Sequence, residues 1–120
     1  IAMHVTIVSI SMCPLGRFDL LVGERRERLM DEASAPFDQL GHHQITQRGE
    51  IRLPADQSTL SVVPEGFGAE VNVNVRVTRL DNGRIVDFRL TPARLTGPTT
   101  LAFPSGFLAI ATSPPPPRRP

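Results

Sequence analysis

Val71, Val73, Val75 and Val77 alternate strictly with Asn72, Asn74, Arg76 and Thr78, and no other feature of the chain restricts its fold so tightly. Successive side chains of a strand point to opposite faces, so a period of two marks a strand with one buried face. Asn82-Gly83 follows, a pair suited to the positive φ angles of a type I′ turn, and Ile85-Val-Asp-Phe-Arg-Leu90 resumes an apolar alternation. With Asn82 and Gly83 as the two loop residues, Asp81 faces Arg84, Val77 faces Phe88 and Val75 faces Leu90. A slip of one residue would set Val77 against Asp87 and Val75 against Arg89, so side-chain parity selects the first register. Residues 70 to 91 are predicted to form a hairpin with its valines inward.

Weaker strand signals surround this hairpin. His4 to Met12 is rich in β-branched residues and ends at Pro14 and Gly16; Phe18 to Val22 is a second short apolar run. Gln44 to Leu53 reads as a strand interrupted at Gly49, and Ser58 to Val63 as one bounded by Pro54 and Pro64. Thr99 to Thr112, broken by Pro104 and Gly106, reads as an edge strand or two short pieces. Between Glu24 and Ala33 the composition turns to Glu, Arg, Leu, Met and Ala. These are good helix formers, and Glu24 and Arg28 have the order of an i,i+4 pair. A surface helix near residues 24 to 34 is therefore expected to cover an edge of the sheet.

The expected architecture is α+β and predominantly antiparallel β, with about five to seven strands and that one short helix. An all-β sandwich or barrel is the alternative. A length of 120 residues with 40% hydrophobic content suits one modest core. The domain is expected to span 1–112, with 113–120 a Pro/Arg-rich extended tail. No apolar run approaches the roughly 20 residues that cross a bilayer, which predicts a soluble domain without a transmembrane segment; the compartment is left open.

Thirteen basic and twelve acidic residues leave a net charge of +1, so no global field argues for nucleic acid. Any charged partner must be recognised locally. The single cysteine, Cys13, excludes an internal disulfide framework and a multi-cysteine zinc site. It reads as a small buried side chain at a strand end, although a redox or nucleophilic thiol has the same sequence. No Gly-x-Ser-x-Gly elbow, P-loop or dinucleotide fingerprint occurs, and the glycines of Pro64-Glu-Gly-Phe-Gly68 read as loop geometry. No cofactor is implied.

Two constellations remain. His42 and His43 are weak metal candidates, since imidazole is a common ligand but adjacent residues converge on one ion only from a loop. The hairpin's polar face is the stronger one: the deduced register sets Arg76 opposite Arg89, with Asn72 and Asn74 nearby. Facing like charges are destabilising, so a neighbouring acid neutralises them, they splay into water, or they bind a carboxylate, phosphate or protein. Pro114-Pro-Pro-Pro-Arg-Arg119 has the spacing of a polyproline ligand, although a terminal tail explains it equally.

Val71-Asn-Val-Asn-Val-Arg-Val77, Asp81-Asn-Gly-Arg84, Leu90-Thr-Pro92 and Phe103-Pro-Ser-Gly-Phe-Leu108 together resemble the repeated hairpins of actinobacterial lipid-binding cell-envelope proteins. The likeness covers less than a third of the chain and lacks the long amphipathic helix that would wall an acyl pocket. It implies a carrier of an apolar small molecule or lipid between sheet and helix. The residues themselves point first to a non-catalytic binding or assembly module that offers a sheet face or edge to a protein partner or to copies of itself, as in a subunit of a larger particle. A small enzyme with His42 and His43 in a cleft is the third class. A lined internal cavity favours the carrier; a filled core with an open edge favours assembly.

Overall fold

The first strand, β1 (Ala2–Ser11), is the middle strand of the larger of two sheets. Its odd-numbered residues Met3, Val5 and Ile7 are fully buried while the even-numbered ones are half-exposed, so one face of it belongs to a core and the other does not. The computed structural model describes residues 1–12, 16–66, 72–90 and 97–109, with the backbone alone at 31 and 32. Cys13 and the tail from 113 to 120 lie outside the described residues. After β1 come β2 (Arg17–Val22), β3 (Arg25–Arg28), β4 (Met30–Pro36), β5 (His43–Arg52), β6 (Thr59–Glu65), β7 (Asn72–Arg79), β8 (Ile85–Leu90), β9 (Thr99–Ala102) and α1 (Ser105–Leu108).

Every pairing among these strands is antiparallel. They form a five-stranded sheet in the order β4-β5-β1-β7-β8 and a four-stranded sheet in the order β3-β2-β6-β9. One core joins the two: Met3, Val5, Ile7, Val73, Val75 and Val77 from the first meet Phe18, Leu20, Leu60, Val62 and Leu101 from the second. Alternation puts these residues on the inner faces, and burying each contributes about 1.5–3 kcal/mol. The fold is thus mostly antiparallel β, an open two-sheet sandwich rather than a closed barrel. Nine strands are described, more than the five to seven expected, because the segment read as a helix supplies two of them.

That segment is the main correction. Residues 24 to 34 carry no helix; β3 and β4 occupy them. Gly23 has φ of +57° while no described non-glycine residue has a positive φ, the sign pattern of a type II′ turn. Val22 therefore pairs with Arg25, and β3 folds back along β2. A helix here would present no continuous apolar stripe to bury, whereas a strand places Arg26 and Arg28 beside Asp19. Ladder and ion-pair partners outweigh intrinsic helix propensity, which is a weak preference. Leu29, 2% exposed, is the step at which the chain passes from one sheet to the other. It lies so close over β5 that a Cβ on Gly49 would come within 2.5 Å of its Cδ2, so Gly49 permits close approach and does not interrupt the strand.

The hairpin of β7 and β8 forms, but two residues out of the deduced register. Val73 pairs with Leu90, Val75 with Phe88, Val77 with Val86 and Arg76 with Asp87. The loop is Leu80–Gly83. Gly83, at φ of +72°, donates its N–H to the Arg79 carbonyl at 3.0 Å, and Arg79 donates to the Arg84 carbonyl at 2.9 Å. Asn82 Oδ1 accepts the Arg84 N–H at 2.9 Å. A one-turn helical bend closed by a left-handed glycine thus replaces the two-residue turn. A two-residue shift preserves which face each side chain occupies, so parity could not distinguish the two registers. Within the segment 99–112, β9 is an edge strand among the described residues, and Pro104 leads into α1, which buries Phe107 against Phe103.

Candidate interaction surface

The outward side chains of the five-stranded sheet run in rows across the strands. In one row Val8 of β1 pairs with Asn74 of β7, which pairs with Arg89 of β8; in the next Ile10 pairs with Asn72. Val8 and Ile10 are half-buried, whereas Asn72, Asn74 and Arg89 are exposed. Together with Val73 they line a depression of about 300 Å³. Its floor is aliphatic and its rim carries two amides and a guanidinium, the mixture that fixes the orientation of an apolar ligand group or an extended peptide.

Three of the four binding residues expected from sequence therefore gather in one place. Arg76 does not join them. It stands opposite Asp87 rather than Arg89, and forms a two-pronged pair with it, Nε to Oδ1 at 2.8 Å and Nη2 to Oδ2 at 3.1 Å. The hydrogen bond and charge of Asp87 raise the Arg76 pKa, and those of Arg76 hold the Asp87 carboxyl below its ordinary value. Arg89, by contrast, makes no ion pair among the described residues, so its fork is available to a carboxylate.

His42 and His43 separate. His42 Nδ1 lies 2.7 Å from Asp38 Oδ2, while Asp38 Oδ1 accepts the N–H groups of Leu40 and His42 at 2.9 and 3.1 Å. Desolvation would raise the Asp38 pKa, but the bonds from His42 and Leu40 outweigh it and lower it. These contacts close the loop between β4 and β5, a role in which Asp is common. His43 begins β5 and pairs with Ser11 and Pro36. Among the described residues no three His, Cys, Asp or Glu side chains come close enough to hold a metal ion.

Two buried charges escaped the sequence reading. Asp19 is 3% exposed and accepts from Arg26 Nε at 2.6 Å and Arg28 Nε at 3.1 Å; Arg28 reaches on to Glu65 at 2.8 Å. Arg79, also 3% exposed, donates to Asp81 Oδ1 at 2.9 Å and to the carbonyls of Phe107 and Ala109 at 2.9 and 2.8 Å, tying α1 to the hairpin. Its position had a signal: it continues the inward series Val73, Val75, Val77.

The chain matches no protein-family model, and no curated protein or solved structure is significantly similar to it. The surface geometry is thus what bears on function. Among the described residues the five-stranded sheet ends at β4 on one side and β8 on the other, and the four-stranded sheet at β3 and β9. Three of these edges carry features that discourage further pairing. β4 has a register irregularity between Asp31 and Ala33 and ends at Pro36; β3 consists of four exposed charged residues; β9 has four residues. β8 has six residues in continuous register, apolar except for Asp87 and Arg89. Ile85 is 55% exposed.

Proposed function

We propose that this chain is a non-catalytic assembly module that presents the outer face of its five-stranded sheet, and the β8 edge beside it, to a protein partner. The observation that carries the reading is the adjacency of two features. The depression floored by Val8 and Ile10 is rimmed by Asn72, Asn74 and Arg89, and Arg89, which makes no ion pair among the described residues, itself lies on β8. A strand added to β8 would gain main-chain hydrogen bonds, and its side chains would reach this rim, the mode by which sheet edges take up partners.

The carrier reading has less support. The helix expected near residues 24 to 34 is replaced by strands, and buried side chains from both sheets pack into one core between them. A depression of about 310 Å³ between β8 and α1, lined by Arg84, Ile85, Val86, Pro104, Gly106 and Phe107, opens to solvent. The His42 and Asp38 pair lies on an exposed loop, and loop closure accounts for its bonds. Native mass spectrometry of protein purified without denaturation tests the choice. The expected spectrum shows masses of the chain, its multiples or protein complexes, with complexes diminished in Arg89→Ala. A retained apolar small molecule would overturn the proposal in favour of a carrier.

A further inference from the structure

The β8 edge has a definite hydrogen-bonding phase. Because Arg79 donates to the Arg84 carbonyl, residues 86, 88 and 90 direct their N–H and C=O groups toward β7, and the alternation of an antiparallel ladder turns those of Ile85, Asp87 and Arg89 away from it. Among the described residues β7 is the sole strand neighbour of β8. Any strand added to this edge must therefore bond to residues 85, 87 and 89.

We propose that the added strand is β8 of a second copy, running antiparallel about a two-fold axis at Phe88 and joining two five-stranded sheets into one of ten strands. Charge complementarity selects the partner and the register. A symmetric pairing that uses the outward groups on both sides can be centred only on a single residue. Centred on Asp87 it sets carboxylate against carboxylate, and centred on Arg89 it sets guanidinium against guanidinium, both unfavourable. Centred on Val86 it overlaps little beyond Ile85 to Asp87. Centred on Phe88 it places Asp87 of each copy opposite Arg89 of the other, and those four residues are among the ones whose N–H and C=O groups point outward. On the inner side, Val86 meets Leu90 and Phe88 meets Phe88. Val86 and Phe88 are only partly buried in one copy although both pack on the core, and self-pairing covers them further. Asp87 keeps its bond to Arg76 and gains a second cation; Arg89, without an ion pair among the described residues, gains a carboxylate.

This inference rests on the assembly reading and names its partner. Sedimentation equilibrium of the full chain tests it with two single variants and their mixture. Asp87→Arg gives two facing pairs of cations and Arg89→Asp two facing pairs of anions, so each alone should self-associate more weakly than wild type by roughly tenfold or more. Mixed in equal amounts, the two variants restore opposite charges at every pair and should form a heterodimer of near wild-type affinity. That recovery also shows that both variants fold, which circular dichroism checks independently. A wild-type chain that stays monomeric at high concentration overturns the self-pairing. A dimer that persists in both single variants, or a mixture no tighter than its components, overturns the register. Failure of the broader reading shows separately, as the retained small molecule in the native spectrum.

Discussion

Two of the hairpins that end at sheet edges, β2 with β3 and β7 with β8, each bury one charge, and they satisfy it in opposite places. Asp19, its side chain 4% exposed, takes its partners Arg26 and Arg28 from the edge strand itself. Arg79, its side chain 3% exposed, takes Asp81 from the turn and two carbonyls from the end of α1. The first arrangement covers β3 with guanidinium groups and makes it a poor template for another strand. The second leaves β8 with charged residues only at Asp87 and Arg89, and Arg89 makes no ion pair among the described residues. Where a buried charge finds its counterion thus decides which edge is closed and which is open.

The largest effect expected from disturbing this contrast is at Arg79. Arg79→Ala removes the guanidinium that satisfies the Phe107 and Ala109 carbonyls and should cost about 3 kcal/mol in urea unfolding, since unpaired buried polar groups carry their full desolvation penalty. An unchanged midpoint would show that α1 is not anchored through the hairpin. Next is the step between sheets. Gly49→Ala would drive a Cβ into the Leu29 side chain and should cost roughly 1–3 kcal/mol by overpacking. The double variant Gly49→Ala with Leu29→Ala should cost less than the sum of the two, because the clash is then absent.

Acid should affect the two hairpins unequally. Burial alone would raise the Asp19 pKa, but hydrogen bonds and charge from Arg26 and Arg28 outweigh it and hold the carboxyl below its ordinary value. A carboxyl depressed in the folded state contributes stability that is complete above its unfolded pKa, about 4, and is lost as pH falls through the lower folded value. Asp87 is depressed in the same direction by Arg76, but that pair is exposed and solvent screens it. The thermal midpoint should therefore fall below about pH 4, and Asp19→Asn should flatten that fall more than Asp87→Asn does. The smallest effect is at the rim: Arg89→Ala should leave stability within about 0.5 kcal/mol of wild type, while weakening association.

What was legible in the sequence follows from the range of the forces involved. The alternation of Val73, Val75 and Val77 is local, and it correctly assigned the inner face of β7. The loop length was not legible, because Asn82-Gly83 serves a four-residue loop as well as a two-residue one. The shift of two that results moved Arg76 from Arg89 to Asp87 without moving any side chain to the other face. β3 was illegible for a different reason. Arg25-Arg-Glu-Arg28 has helical composition, and it is the ladder to β2, with Asp19 as counterion, that makes it a strand. Of the candidate surface, Asn72, Asn74 and Arg89 were visible as the polar face of a hairpin. Val8 and Ile10 were not, since pairing between β1 and β7 is nonlocal.

Amide hydrogen exchange followed by NMR at low and high protein concentration tests most directly whether β8 is the working edge and β3 the closed one. The Leu29 N–H bonds to the Phe18 carbonyl, so the N–H groups of Arg26 and Arg28 point away from β2, as those of Asp87 and Arg89 point away from β7. The account predicts that the amides of Asp87 and Arg89 become protected as concentration rises, while those of Arg26 and Arg28 exchange rapidly throughout. Equal exchange at all four amides, at every concentration, would contradict it.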